Sequence, residues 1–227
     1  MFKIYKILIL LFFVTLTLPT KAHVQHYENL NRIEFDIYRN NVHLGKHIFS
    51  FEKSADEIAV TSEINFKITY LGVELYTYYA KGVEIYKDGK LIKFNSKTNQ
   101  NGKEKYVNMK LENSEYVIDG SSYKGKASVD YLLGTWWNHS IVKAKAQISA
   151  VSGRIIKQKV TFLGKETIKF GDKSYNTSHY NFSSTDKKLD KNKKLNTDVW
   201  YDEKTLNWVK ASFEKKGKWE YRIVSIK

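Results

Sequence analysis

Apolar and polar residues alternate along most of this chain, and a period of two predicts strands. The clearest stretch runs from Ile58 to Tyr70. Ile58, Val60, Ile64, Phe66, Ile68 and Tyr70 share one face, while Thr61, Glu63, Asn65, Lys67 and Thr69 share the other. The same period recurs at Ile33, Phe35 and Ile37, at Val107, Met109 and Leu111, at Ile156, Val160 and Phe162, and at Trp219, Tyr221 and Ile223. One apolar and one charged face is the pattern of antiparallel sheet with one side on a core and the other in water.

Asn40-Asn41, Asp88-Gly89, Asn101-Gly102 and Asp119-Gly120 each separate two strand-like runs. Such pairs accept the positive φ that a two-residue hairpin needs, so the expected topology is a meander of about ten to twelve strands. The segment 58–70 would extend about 43 Å at ~3.3 Å per residue. The run 73–87 is as long and carries Gly82, a position for a bulge or bend. Strands of that length twist and curl. The expected fold class is therefore all-β: a curved antiparallel meander forming a half-open β-barrel or clam with a concave face.

Two segments interrupt the pattern. VDYLLGTWWNHSIVKAKAQI, residues 129–148, is expected to hold one short helix or a crossing loop. DKKLDKNKKLN, residues 186–196, has five lysines and no strand signal, and reads as a solvated loop.

The N-terminus changes the setting. Lys3 and Lys6 precede an apolar run from Ile7 to Leu18, and Thr20-Lys21-Ala22 offers a cleavage site. That is the form of an export signal, and the run is short for a spanning helix. Residues 1–22 are thus read as a leader, residues 23–227 as a single β-clam domain, and the location as periplasmic. The chain has no cysteine, which excludes disulfides, thiolate metal sites and a cysteine nucleophile.

Charge narrows the partners. The formal net charge is +14, and it becomes +11 once Lys3, Lys6 and Lys21 are removed. Of the 38 basic residues only Arg32, Arg39, Arg154 and Arg222 are arginine. Readers of bases and phosphates favour arginine's bidentate fork, so nucleic acid is not expected as a partner. The lysine excess has two readings, the composition of an AT-rich genome first and attraction to an anionic envelope surface as the alternative.

The histidines do not make a metal site on spacing. His43 and His47 sit four apart in a predicted strand, about 13 Å, so the default is a surface or cross-strand hydrogen-bonding role. His23 and His26 lie near the expected mature terminus, where a copper site would need a further histidine that no spacing identifies. No nucleophile elbow, zinc-protease motif or phosphate loop is present. No cofactor, metal or catalytic residue is assigned.

Aromatic residues make up 15% of the chain. They suit the packing of curved sheets, and they also suit an apolar pocket with hydroxyl handles. The lining expected on the concave face is Ile64, Phe66, Ile68, Tyr76, Tyr78, Trp136 and Trp137, with Trp200 and Tyr201 from the hairpin near the C-terminus.

Several segments together resemble an exported bacterial family catalogued as domain of unknown function 6134. They are DIYRNNVHLGKHIFSF (36–51), TYYAKGVEIYKDGKL (77–91), NGKEKYV (101–107), TWWNHS (135–140), VTFLGKETI (160–168) and DVWYDEKTLNWVKASF (198–213). His47, Trp137, Asn138, Trp200, Tyr201 and Asp202 fall on its more recognisable positions. The resemblance implies the fold and export, and it brings no activity.

Three functions follow as expectations. The first is a non-enzymatic clam that binds a lipid-like, hydrophobic or amphiphilic molecule on its concave face. The second is an envelope structural or assembly protein whose core is filled by its own side chains. The third is an enzyme on envelope lipid or glycan, which requires two carboxylates or a His–carboxylate pair in a cleft.

Overall fold

The computed structural model describes residues 27, 29–190 and 193–227. The expected leader, His23 and His26 lie outside the described residues. Eight strands run up and down in succession: β1 (Arg32–Arg39), β2 (Val42–Lys53), β3 (Glu57–Tyr70), β4 (Val73–Lys87), β5 (Lys90–Gln100), β6 (Lys103–Glu112), β7 (Glu115–Gly120) and β8 (Lys124–Ser128). Two short strands follow, β9 (Leu132–Leu133) and β10 (Ala146–Ile148), with a one-turn 3-10 helix, His139–Lys143, between them. Five more complete the chain: β11 (Ile155–Phe170), β12 (Lys173–Ser184), β13 (Asn196–Asp202), β14 (Trp208–Glu214) and β15 (Lys218–Ile226).

All fifteen belong to one sheet, more than the ten to twelve expected, in part because the 129–148 segment adds β9 and β10 to the expected crossing element. The first and last strands pair with each other at its centre. Its two edges, β8 and β9, are consecutive in the chain and are joined by residues 129–131 alone. A three-residue link cannot span far, so the edges are brought near each other and the sheet curls into a half-open barrel. An open cleft of about 850 Å³ marks the seam, bordered by Lys126 and Ser128 on one side and Ile155 and Lys157 on the other.

Three of the four expected hairpins form as read. Both residues of Asn40-Asn41, Asp88-Gly89 and Asn101-Gly102 have φ between 50° and 82°, the geometry whose twist matches the flanking strands. Asp119-Gly120 is a correction: both residues end β7, and the turn before it falls at Asn113-Ser114. Gly120 is there for close approach, since a Cβ on it would meet the Ser152 carbonyl oxygen at 2.6 Å. Gly82 is likewise no bulge. Its register with Ser62 and Ser96 is unbroken, and a Cβ on it would come within 3.0 Å of the Phe94 ring.

The alternation of the meander sorts the turns into two ends. Turns 40–41, 71–72, 101–102 and 215–217 lie at one end, here the mouth, and 54–56, 88–89 and 113–114 at the other, the base. Cross-strand registers then define inward-facing rows. In the base half, Phe51, Val60, Glu84, Phe94, Met109 and Ile118 form one row across β2–β7, and every member is buried. The next row is Phe49, Ser62, Gly82, Ser96 and Val107. Then come His47, Ile64, Ala80, Thr98 and Lys105, and nearest the mouth Phe66, Tyr78, Gln100 and Lys103. Large side chains fill the first row. Ser62, Gly82, Ser96 and Ala80 leave space in the next two.

Candidate functional site

The segment between β9 and β10 enters the barrel and divides it. Trp137 is fully buried on the base side, with edge contacts to Tyr27, Phe51 and Tyr86 at ring distances of 5.3 to 5.6 Å. Its indole Nε1 donates to Glu84 Oε1 at 3.0 Å, and the Tyr86 hydroxyl donates to Oε2 at 2.5 Å. Burial pushes the Glu84 carboxyl up, while the donors Tyr86, Trp137 and Thr135 pull it down by less. Trp137 is a plug, not a pocket wall.

Trp136 turns the other way. Its φ of 61° places a bulky residue in the left-handed region, which costs about 1–2 kcal/mol for an L-residue. Two contacts hold it there. The Tyr201 hydroxyl donates to the Trp136 carbonyl at 2.9 Å, and the Trp136 Nε1 donates to Gln147 Oε1 at 3.3 Å. Gln147 donates in turn to Gln158, whose amide donates to the carbonyls of Ile141 and Ala144. This buried relay fixes the 3-10 turn and aims the Trp136 ring towards the mouth, edge-on to Trp208 at 5.6 Å.

Above Trp136 lies a hollow of about 240 Å³. Ile64, Tyr78 and Trp136 of the expected lining border it, together with His47, Thr98 and Trp208. The loop 149–151 borders it as well, pinned by the Ser96 hydroxyl donating to the Ala150 carbonyl at 2.6 Å. Beyond it, at the mouth, is a groove of about 530 Å³. Here Phe66 stacks on Tyr78 at 4.9 Å and meets Tyr76 at 6.1 Å and Trp219 at 5.2 Å. Ile68 and Leu75 complete its apolar wall, and Arg39, Lys215 and Lys216 its rim. Tyr78 and Tyr221 border both spaces. Burial raises both hydroxyls, Tyr78 to about 12.

The structure thus brings six of the nine expected residues to the two spaces and moves three away. Trp137 is the base plug. Tyr201 faces inward but acts on the backbone of Trp136. Trp200 alternates with inward-facing Val199 and Tyr201 and lies on the outer face, stacked on His179 at 4.0 Å under the Lys210 ammonium. Its hairpin position gave no hint of which side it takes, because one residue of register flips the face.

His47 is the residue that sequence reasoning undervalued. It is cross-strand bonded as expected, Nε2 to Ser62 Oγ at 2.8 Å, but it is buried rather than at the surface, and burial alone pushes its pKa down to about 3. His43 is exposed and pairs with Asp36 at 3.2 Å. Trp208 and Thr98 carried no motif. The signal for the hollow was the run of small residues at inward positions.

His179 sits 3.2 Å from Glu166 and 3.6 Å from Asp198, a His–carboxylate group on the outer face and away from both spaces. Among the described residues no set of three His, Asp or Glu side chains is placed to hold a metal ion. Among them, too, no helix is long and apolar enough to cross a membrane.

In fold the chain is similar to a β-barrel-like protein of the domain of unknown function DUF1849 from Brucella abortus. The TM-score is 0.61 at 10% identity, over 87% of this chain and 98% of that one. It also matches a putative exported protein with a YmcC-like fold from Bacteroides fragilis at a TM-score of 0.35 and 10% identity, over 86% and 94% of the two chains. No curated protein matches it in sequence. A family model, Domain of unknown function (DUF6134), matches residues 35–224, nearly the whole of the barrel, and this chain belongs to that family.

Proposed function

We propose that this protein is a periplasmic, non-enzymatic carrier or sensor that binds a hydrophobic or amphiphilic molecule inside the mouth half of its barrel. One observation carries the reading: a row of small inward side chains leaves a hollow behind Trp136 that opens toward an aromatic groove, while the row facing Trp137 is filled by large ones. Small side chains at inward positions leave the inner space, and Phe66, Tyr76, Tyr78 and Trp219 wall an apolar groove that continues from it. Ligand sites of this kind span about 300–1,000 Å³. The inner hollow alone is below that range, and the groove is within it. Burying an alkyl chain there contributes about 0.8 kcal/mol per methylene.

The mouth is also basic. Besides Arg39, Lys215 and Lys216, Lys105 faces inward there, and its ammonium is pushed down by burial and then by Lys215, Lys103 and Arg154. No carboxylate borders the groove itself, which suits docking against an anionic envelope surface. The filled inward row facing Trp137 supports the second reading, a structural envelope protein, but that reading leaves the hollow behind Trp136 without a purpose.

The test is native mass spectrometry and lipid extraction on protein produced with its own leader. The expected result is a co-purifying apolar molecule, lost on delipidation and restored by added extract with a change in tryptophan fluorescence. Ligand-free protein whose fluorescence does not respond to any lipid fraction overturns the proposal.

A further inference from the structure

The two spaces share Tyr78 and Tyr221 and both are mainly apolar, but the inner one is bordered by residues with buried hydrogen-bonding atoms. The groove at the mouth is walled by rings and alkyl groups. The hollow behind it is bordered by Ser62, Ser96, Thr98, Thr135, Ser149 and Gln147. Several of these are already engaged: Ser62 with His47, Ser96 with Ala150, and Gln147 with Gln158. Three buried polar atoms on its wall are not. They are Nδ1 of His47, Oγ1 of Thr98 and Nε1 of Trp208, in residues 5%, 1% and 0% exposed.

The backbone gathers them. His47 and Thr98 lie in the same cross-strand row, separated by Ile64 and the small Ala80. The Trp208 ring is 5.8 Å from that of His47. A buried donor or acceptor without a partner costs about 1–3 kcal/mol, so each of the three calls for a partner from the hollow that its residue borders.

Their chemistry restricts that partner. The Trp208 N–H can only donate, the Thr98 hydroxyl can donate or accept, and His47 Nδ1 does either according to tautomer. None is a cation, because burial keeps His47 neutral. Lys81, which also borders the hollow, is an exposed residue between inward-facing Ala80 and Gly82. An ionised carboxylate or phosphate buried there would have no counter-charge, at a cost of several kcal/mol or more. An uncharged oxygen suits any one of the three.

We infer that the inner hollow receives the uncharged polar end of an amphiphile, a hydroxyl or the carbonyl of an ester or amide, which enters first, while the alkyl part leaves past Tyr78 and Tyr221 into the aromatic groove. The inference rests on the amphiphile reading above and fixes the ligand's class and direction. The hollow's 240 Å³ is about eight times the ~30 Å³ share of one water, which suits a small polar end and a few methylenes.

The test titrates delipidated protein at neutral pH with 1-decanol, decanamide and decanoate, read by tryptophan fluorescence and calorimetry. Decanol and decanamide are expected to bind about tenfold tighter than decanoate, a difference of about 1.4 kcal/mol. Thr98→Val keeps the side-chain shape and removes the hydroxyl, and is expected to erase most of that preference while decanoate affinity stays level. Trp208→Phe gives an independent loss of the preference should the valine variant fold poorly. Leu75→Ser, in the groove, weakens all three probes alike. Tightest binding by decanoate, or an unchanged preference in both folded variants, overturns the inference and leaves the amphiphile reading standing. No binding by any of the three removes both.

Discussion

Trp136 and Trp137 are neighbours in the chain and work in opposite halves of the barrel. Trp137 faces the base, where a full row of large side chains leaves it no space, and its N–H is held by a buried carboxyl. Trp136 faces the mouth, where Ser62, Ala80, Gly82 and Ser96 leave a hollow beneath the sheet. β3 and β4 run through both halves, so neither strand type nor curvature separates a core from a vessel here. Side-chain volume at successive inward rows does. Close packing tolerates few voids larger than a water, so a row of small residues in a curved sheet either collapses or holds something.

The comparison can be broken by mutation and by pH. The largest effect is expected from Trp137→Ala, a loss of about 3–5 kcal/mol in urea unfolding, against about 1–2 kcal/mol for Trp136→Ala at its half-buried site. Equal losses would mean that the two halves are packed alike.

Next come two pH effects of opposite sign. The Glu84 carboxyl is raised by burial, so the folded chain keeps a proton that the unfolded chain releases. Its stabilisation is present below the ordinary carboxylate range and lost as pH rises through the raised value, at up to about 1.4 kcal/mol per pH unit. Glu84→Gln should flatten that fall in denaturant midpoints measured across the acid-to-neutral range. His47 is lowered to about 3 by burial among Phe35, Phe49, Trp208 and Tyr221, with no charged neighbour. Its stabilisation is full above the ordinary histidine value near pH 6.5 and is lost as pH falls towards 3, again at up to about 1.4 kcal/mol per unit. His47→Leu should remove that acid-side loss, and a variant that keeps the wild-type slope would show the imidazole to be hydrated.

The smallest effect is expected at Thr98. With no internal partner for its hydroxyl, Thr98→Val should leave ligand-free Tm unchanged or raise stability by up to about 1 kcal/mol. A clear loss would reveal a hydrogen bond that the structure does not contain.

Much of the fold was legible because antiparallel strands and tight turns write themselves locally. Alternation from Ile58 to Tyr70 marked β3, and Asn101-Gly102 marked a hairpin, since the chemistry that favours each acts within a few residues. Asp119-Gly120 misled because a glycine needed for close approach to Ser152 looks the same in sequence as one needed for a turn. The site was harder. The apolar members of its wall, Ile64, Tyr78 and Trp136, stood out. The hollow itself is made by what Ser62, Gly82 and Ser96 lack, and their alignment in one row appears only once three strands are in register. The separate fates of Trp136 and Trp137 depend on one positive φ, which no residue type at that position announces.

The pairing of β1 with β15 has a kinetic side. These strands are neighbours at the middle of the sheet yet come from opposite ends of the chain, and such distant pairing slows folding. A chain emerging in order from a ribosome can zip β1 to β8 early, but its centre stays an open, sticky edge until β15 arrives. Losing β15 would remove a middle plank rather than a trim piece.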